Sequence, residues 1–195
     1  MVVEVKPATP ARWRDLDRVF GRRGEDRSWC WCQLFLHPST GRATGSEPGP
    51  DNRAALKEQV TRATVAPGLI AYIDGEPVGW TRVGPRSRFP LVTGNRALAK
   101  LLPHDPGAWW VTCFAVESRR RRSGVGTALL QAAVEYARLQ GASSLEGHPV
   151  DVTALRAAKV GGSAVFTGTA AMFTTAGFTE VGRTHPSRPL MRREL

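Results

Sequence analysis

Four arginines and two closely spaced glycines stand directly before an apolar run in residues 119–130, RRRRSGVGTALL. Glycine lets a backbone bend tightly and leaves its N–H groups uncovered, and the start of a helix adds the positive end of its dipole. This combination predicts a cradle for an anion such as a phosphate. The stretch has neither the G-x-G-x-x-G of a Rossmann fingerprint nor the G-x-x-x-x-G-K-[ST] of a P-loop, so those two nucleotide folds are not indicated.

A net charge of +10 on 195 residues makes the chain strongly basic. Such a surface attracts polyanions in general, so nucleic acid, an anionic membrane and a phosphorylated cofactor are all candidates. No helix-turn-helix, zinc finger or aromatic RNA-binding motif occurs, so no specific nucleic-acid partner is expected. No stretch approaches the roughly 18 apolar residues of a membrane span, and MVVEVKPATPARWRD lacks the layout of a signal peptide. We therefore expect no membrane partner and a cytoplasmic location.

The three cysteines, Cys30, Cys32 and Cys113, are too few and odd in number for a disulfide framework, so reduced thiols are expected. The Cys-x-Cys pair followed by His37 could suggest zinc. A structural zinc site takes four ligands, however, and the remaining candidates are a cysteine expected to be buried and distant histidines. The sequence therefore predicts no metal.

Strands and helices alternate along the chain, which indicates one domain over residues 1–195 with loop insertions near 37–51 and 84–108. The predicted elements before the second insertion are a strand at 2–5, a helix from Thr9 to near Gly21, a helix after Asp51, and a hairpin that turns at Asp74 and Gly75. Those after it are strands at 109–116 and 143–147, a helix ending at Gly177, a strand FTEVGRT, and PLMRREL as a last edge strand or tail.

The anion cradle lies between a buried strand and a helix. WWVTCFAV, residues 109–116, is an unbroken apolar run typical of a strand that is covered on both faces. After the arginines, apolar residues recur at helical spacing up to a stop at Gly141, namely Val125, Leu129, Ala132, Ala133 and Tyr136. Tyr136 is expected to belong to the core of this helix.

The same stretch resembles the acyl-coenzyme A signature [QR]-x-x-G-x-[GA] of the GNAT superfamily of N-acetyltransferases. The matching residues are Arg121, Arg122, Ser123, Gly124, Val125 and Gly126. The strand before it ends in the F-A-V of the superfamily, Phe114, Ala115 and Val116, and AAMFTTAGF downstream matches its later helix and closing G-F, Gly177 and Phe178. The firm resemblance covers residues 109–182.

The resemblance implies an α/β fold: a single GNAT-type domain with a mixed, mostly antiparallel sheet, flanked by helices, whose central strands splay apart. Acetyl-CoA would be the co-substrate and no metal would be required. The backbone of Phe114, Ala115 and Val116 would bond the pantetheine arm, and the N–H groups from Arg122 to Thr127 would hold the pyrophosphate. Family habit leaves a homodimer as one oligomeric state.

Two residues depart from the superfamily's pattern. Phe173 replaces the tyrosine that usually protonates the departing thiolate, and Trp110 stands where histone-modifying members carry a glutamate. We expect Phe173 to shape the pocket around the sulfur. Glu146 and His148, just past the fifth strand, are the candidate catalytic groups, since histidine titrates near neutral pH and a desolvated glutamate can be shifted toward it. The alternative is that Glu146 is a solvated charge at the end of the strand and His148 is a surface loop residue.

The predicted activity is acetyl transfer from acetyl-CoA directly to a primary amine, either a small molecule or a protein amine. Trp29 and Trp31, in SWCWCQLF, would form an aromatic wall of the substrate pocket or part of the core. Two other functions stay open, a non-catalytic acyl-CoA-binding domain and a basic nucleic-acid-binding domain.

Overall fold

The computed structural model describes residues 2–21, 30–37, 48–157 and 162–195. Trp29 and most of the predicted loop insertion at 37–51 lie outside these ranges. Within them, no helix is long and apolar enough to cross a membrane.

Seven strands and seven α-helices make up the described fold. The strands are β1 (Glu4–Pro7), β2 (Gly68–Ile73), β3 (Glu76–Pro85), β4 (Ala108–Val116), β5 (Ser144–Gly147), β6 (Thr179–His185) and β7 (Arg188–Glu194). The helices are α1 (Trp13–Gly21), α2 (Pro48–Arg62), α3 (Pro90–Thr93), α4 (Arg96–Ala99), α5 (Val125–Leu139), α6 (Val152–Ala157) and α7 (Ala170–Thr175). Short 3-10 turns join several of them.

The strands form one sheet in the order β1-β2-β3-β4-β5-β7-β6. Every neighbouring pair is antiparallel except β4 and β5, which run parallel. The prediction of a single α/β domain with a mixed, mostly antiparallel sheet flanked by helices is confirmed. PLMRREL is not an edge strand or a tail, because β7 lies between β5 and β6 and pairs with both.

Local signals account for several element boundaries. Asp74 and Gly75 both have positive φ, 51° and 78°, as the predicted type I′ turn between β2 and β3 requires. Gly141, at φ 77°, follows the end of α5 as expected. The second helix begins at Pro48, before the predicted cap Asp51, which lies within its first turn.

The sheet separates two hydrophobic clusters. On one face α5 and α7 pack against the strands, and this cluster includes Leu129, Ala133 and Phe173. On the other face α1 and α2 cover the strands through residues such as Leu16, Leu56 and Trp80. The central strands β2 to β5 are therefore mostly buried, and a divergence of these strands would give a ligand access to the centre of the sheet.

Candidate active site

The central strands diverge partway along their length. β4 pairs with β5 only from Ala108 to Trp110, opposite Ser144 to Glu146. Beyond that point no described strand pairs with the β5-facing edge of β4. Residues 111–116 therefore carry backbone N–H and C=O groups on that edge that an extended ligand could bond.

A β-bulge sits at the start of this open edge. The register between β3 and β4 shifts between Trp80 and Arg82, and Cys113 on the opposite strand has a φ of 58°. A bulge bends its strand and changes the direction in which nearby groups point. Beyond it, the strand segment from Phe114 to Val116 leaves the fully buried layer and becomes half-buried.

A cavity of about 860 Å³ opens beside this segment. β4 contributes Cys113 to Val116, the turn before α5 contributes Arg120 to Arg122, and α5 contributes Gly126. The remaining lining residues are Phe20, Cys30, Cys32, Val165, Phe166, Gly168, Thr169 and Met172. The volume falls in the range of pockets that hold small molecules and cofactors.

The predicted anion cradle borders this cavity. Gly124 has a φ of 85°, which turns the chain into α5, and the N–H of Ala128 makes the first helical bond, 2.9 Å from the carbonyl oxygen of Gly124. The N–H groups of Val125, Gly126 and Thr127 precede that bond, so the helix itself offers them no acceptor. These N–H groups can donate hydrogen bonds to an anion that binds at the positive end of the helix dipole.

Three of the four consecutive arginines face the cavity. Arg120, Arg121 and Arg122 line it, whereas Arg119 donates to Glu117 at 2.9 Å and is not among the lining residues. Arg121 and Arg122 were predicted to bind the donor, and Arg120 was not among them. Arg120 lies in the 3-10 turn over Ser118–Arg120 that precedes the cradle, and no sequence pattern indicates this position.

The predicted donor-binding residues come together around the cavity. Those that line it are Phe114, Ala115, Val116, Arg121, Arg122 and Gly126. Ser123, Gly124, Val125 and Thr127 belong to the same turn and helix start, with the Val125 side chain buried in the core. Phe173 lies behind the wall: it is fully buried and packs edge-on against Phe114, with ring centroids 6.2 Å apart.

Glu146 is held in a buried ion-pair network away from the cavity lining. Its carboxylate is fully buried and accepts hydrogen bonds from Arg86 Nη1, at 2.9 and 2.8 Å, and from Arg192 Nη1, at 2.6 Å. Arg192 also binds Asp105 at 2.7 Å. Both oxygens of Glu146 already accept charged donors, an arrangement that favours a structural role.

His148 is half-buried and is also not among the lining residues. Its Nε2 donates to the carbonyl oxygen of Arg188 at 3.2 Å and lies 2.8 Å from Thr184 Oγ1. Burial, assisted by the charge of Arg188, lowers the pKa of His148 from 6.5 to about 4. The imidazole is therefore neutral at pH 7 and is a weak base.

His148 should make the protein sensitive to mild acid. Because its pKa is lower in the folded state, the unfolded state binds more protons between about pH 6.5 and 4, and stability falls as pH falls through that window. When the pH falls from 7 to 4.5, we expect the unfolding free energy of the His148→Gln variant to fall by about 2 kcal/mol less than that of the parent protein. Denaturant melts at both pH values measure it, with exposed His104→Gln as the control. An unchanged pH dependence would contradict the assignment.

Three cysteines line the cavity and are called the thiol wall, namely Cys30 and Cys32 of the segment after α1 and Cys113 of β4. Trp31 lies behind this wall, 1% exposed and with its ring centroid 5.1 Å from that of Phe20, which favours the core-packing alternative for this residue. The sequence did not place the cysteines in the site. Their only sequence signals are the Cys-x-Cys spacing in SWCWCQLF and the position of Cys113 in an apolar run, and both patterns are equally typical of core residues.

No group of three or more metal-ligating side chains occurs within the described ranges of the chain.

Comparison with known proteins identifies a matching protein family and solved structures with a similar fold. A family model described as "Acetyltransferase (GNAT) family" matches residues 24–161. Comparison with curated protein sequences finds no match.

Three solved structures are similar over nearly the whole chain. They are the GNAT domain of PAT from S. lividans (17% identity, 99% of this chain and 90% of that chain, TM-score 0.58), ribosomal-protein-alanine N-acetyltransferase from Brucella melitensis (19%, 98% and 99%, 0.55), and an aminoglycoside acetyltransferase in complex with coenzyme A (18%, 99% and 95%, 0.55). At these identities the similarity establishes the fold.

Proposed function

The chain belongs to the acetyltransferase (GNAT) family, and from this membership we propose that it transfers an acetyl group from acetyl-CoA directly to a primary amine. One observation carries the proposal. The open edge of β4 and the cradle at the start of α5 border the same cavity. An extended arm ending in a pyrophosphate needs that combination, a strand edge beside an anion site.

The donor would lie along β4 with its phosphates at α5. The backbone from Phe114 to Val116 would bond the amide groups of the pantetheine arm, and the N–H groups from Arg122 to Thr127 would hold the pyrophosphate. Arg120, Arg121 and Arg122 add positive charge beside them. Coenzyme A carries a 3′-phosphate in addition to its pyrophosphate, so these arginines have chemically suitable partners.

The chemistry requires orientation and proton removal. An N–H group of the open β4 edge can polarise the thioester carbonyl and stabilise the oxyanion that forms when the amine attacks. The buried strands around the cavity limit water at the reacting carbon. Phe173 has no proton to give, and it supports Phe114 from behind, so coenzyme A would leave as the thiolate or take its proton from the reaction itself.

The acceptor is proposed only as a class, a small-molecule or protein amine. Two similar folds carry names with different acceptors, a ribosomal-protein alanine and an aminoglycoside. Cavity walls away from the donor side are formed by Cys30 and Cys32 and by Val165 and Phe166. We propose that these walls select the acceptor.

Acetyl-CoA should raise the melting temperature of the purified protein in a concentration-dependent way, because a ligand that binds the native state stabilises it by mass action. Free acetate and adenosine are the controls and should have little effect. A panel of small amines and N-terminal peptides, assayed by thiol release from acetyl-CoA, should then identify an acceptor. Binding without turnover across the panel would favour a non-catalytic acyl-CoA-binding domain, and no binding would contradict the proposed site.

A further inference from the structure

The thiol wall brings together cysteines from two distant parts of the chain. Cys30 and Cys32 belong to the segment after α1, and Cys113 lies in the bulge of β4, yet all three line the cavity. Cys32 and Cys113 both adopt positive φ, 59° and 58°, a conformation that costs energy for a residue with a Cβ. Such strain concentrates at functional sites, where the surrounding structure holds it in place.

A buried cation lies next to this wall. Arg82 on β3 is 4% exposed, and its Nη2 donates to Gln59 Oε1 at 2.9 Å. Its Nε is buried and has no hydrogen-bond partner in the described residues, and no carboxylate there forms an ion pair with it. A guanidinium removed from water is costly unless an anion compensates its charge. The neighbouring group that can become that anion is the sulfur of Cys32.

Cys32 also receives neutral donors. Trp80 Nε1 donates to its Sγ at 3.1 Å. Burial by itself would raise the pKa of Cys32, but the thiol of Cys113, the charge of Arg82 and the indole of Trp80 outweigh burial and hold that pKa well below its usual value. Low-pKa thiols are found in such electropositive surroundings.

The other two thiols are shifted in the opposite direction. The hydrogen bond to Cys32, and then burial, raise the pKa of Cys113, while burial and the charge of Cys32 raise the pKa of Cys30. Arg82 of β3 and Cys113 of β4 are the titratable groups that lower the pKa of Cys32, and the charge of Cys32 in turn acts on Cys30. One thiolate is thus singled out among three thiols.

The described lining offers no other base. Besides the three thiols its titratable side chains are arginines, which do not accept protons near neutral pH. Glu146 is occupied by Arg86 and Arg192, and neither it nor His148 lines the cavity. Within the described lining, the groups that could take a proton from the acceptor amine inside this cavity are therefore the three thiols.

We propose that Cys32, as a thiolate held by Arg82, Trp80 and Cys113, is the catalytic base that takes a proton from the acceptor amine. This inference rests on the proposed function. The ammonium gives one proton to the sulfur of Cys32, and the nitrogen lone pair then forms a bond to the thioester carbon. The carbon–sulfur bond breaks with its electron pair on the sulfur of coenzyme A, and the second proton from nitrogen goes to that sulfur. Cys32 returns its proton to water.

The thiolate is tested on the free protein, without any acceptor. Alkylation by iodoacetamide, followed residue by residue by mass spectrometry across pH 5 to 9.5, gives a midpoint for each cysteine. We expect the midpoint of Cys32 to lie at least ~1 pH unit below that of Cys30, and Arg82→Gln to raise it. Acetyl-CoA should slow the labelling. A midpoint for Cys32 equal to or above that of Cys30 would overturn the inference.

The catalytic role is tested with the acceptor found by thiol release. Cys32→Ser should lower kcat by ~10² and remove the acid limb of the pH–rate profile, with acetyl-CoA binding kept. Its melting temperature should fall, because the substitution removes the anion that compensates Arg82. Cys30→Ser is the matched variant and should keep the midpoint of that limb. A Cys32 that becomes acetylated by acetyl-CoA alone, or a serine variant with a parental pH profile, would overturn the assignment. Absence of acetyl-CoA binding would overturn both the proposed acetyl transfer and the role of Cys32. Acetyl-CoA binding together with an alkylation midpoint of Cys32 that is not below that of Cys30 would overturn the role of Cys32 alone.

Discussion

Gly126→Val is expected to weaken acetyl-CoA binding by ~10² or more, about 2.8 kcal/mol, and to abolish the thermal shift. Gly126 lines the cavity at the start of α5, and a Cβ placed there would lie 3.2 Å from Met172 Sδ. The two methyl groups of valine would therefore stand in the cavity mouth, between the cradle and α7. The fold should survive, because φ at this position is ordinary and valine is no poorer than glycine within a helix.

The matched control is Gly21→Val. Gly21 ends α1 at an exposed position, and a Cβ there would meet no atom of the described residues within 4 Å. Isothermal titration with acetyl-CoA should give parental affinity for this variant and none measurable for Gly126→Val. Equal affinities for the two variants would mean that the donor phosphates bind elsewhere.

The parts of the fold that could be predicted from sequence are those governed by local signals. The Asp74–Gly75 turn, the buried run of β4 and the stop at Gly141 each depend on a few adjacent residues with strong conformational preferences. The cradle belongs to this group, since its glycines and arginines are contiguous. The order of the last two strands does not, because insertion of β7 beside β5 depends on long-range pairing that no local pattern encodes.

The candidate site also has one part that the sequence predicts and one part that depends on long-range contacts. The donor side lies on one continuous stretch, residues 114–127, and could be located from the chain alone. The thiol wall requires Cys32 and Cys113, 81 positions apart in the sequence, to meet next to Arg82 on a third segment. A buried arginine within an apolar strand has no sequence signature that separates it from an exposed one, so the group that sets the state of Cys32 could be found only in three dimensions.

Glu146 provides a second large effect, and it distinguishes two roles for this residue. Replacement by glutamine removes the anion shared by Arg86 and Arg192, whose side chains are only 14% and 11% exposed. Breaking a buried ion pair by removing one partner costs about 3–5 kcal/mol, since the remaining charge stays desolvated. Here Arg86 loses its carboxylate partner, whereas Arg192 keeps its ion pairs with Asp105 and Glu194. We expect Glu146→Gln to lower the melting temperature by about 10 °C, as measured by calorimetry.

The matched substitution is Glu135→Gln, which breaks the exposed pair with Arg138 and should change the melting temperature little. If Glu146 instead acts as the catalytic base, its glutamine variant should stay as stable as the parent and lose kcat by ~10². The two roles thus predict opposite combinations of stability and rate in one protein. A Glu146→Gln variant with the melting temperature of the parent and a lower kcat would identify Glu146, at the end of β5, as the catalytic base. Cys32 would then have no catalytic role, because one amine proton needs only one acceptor.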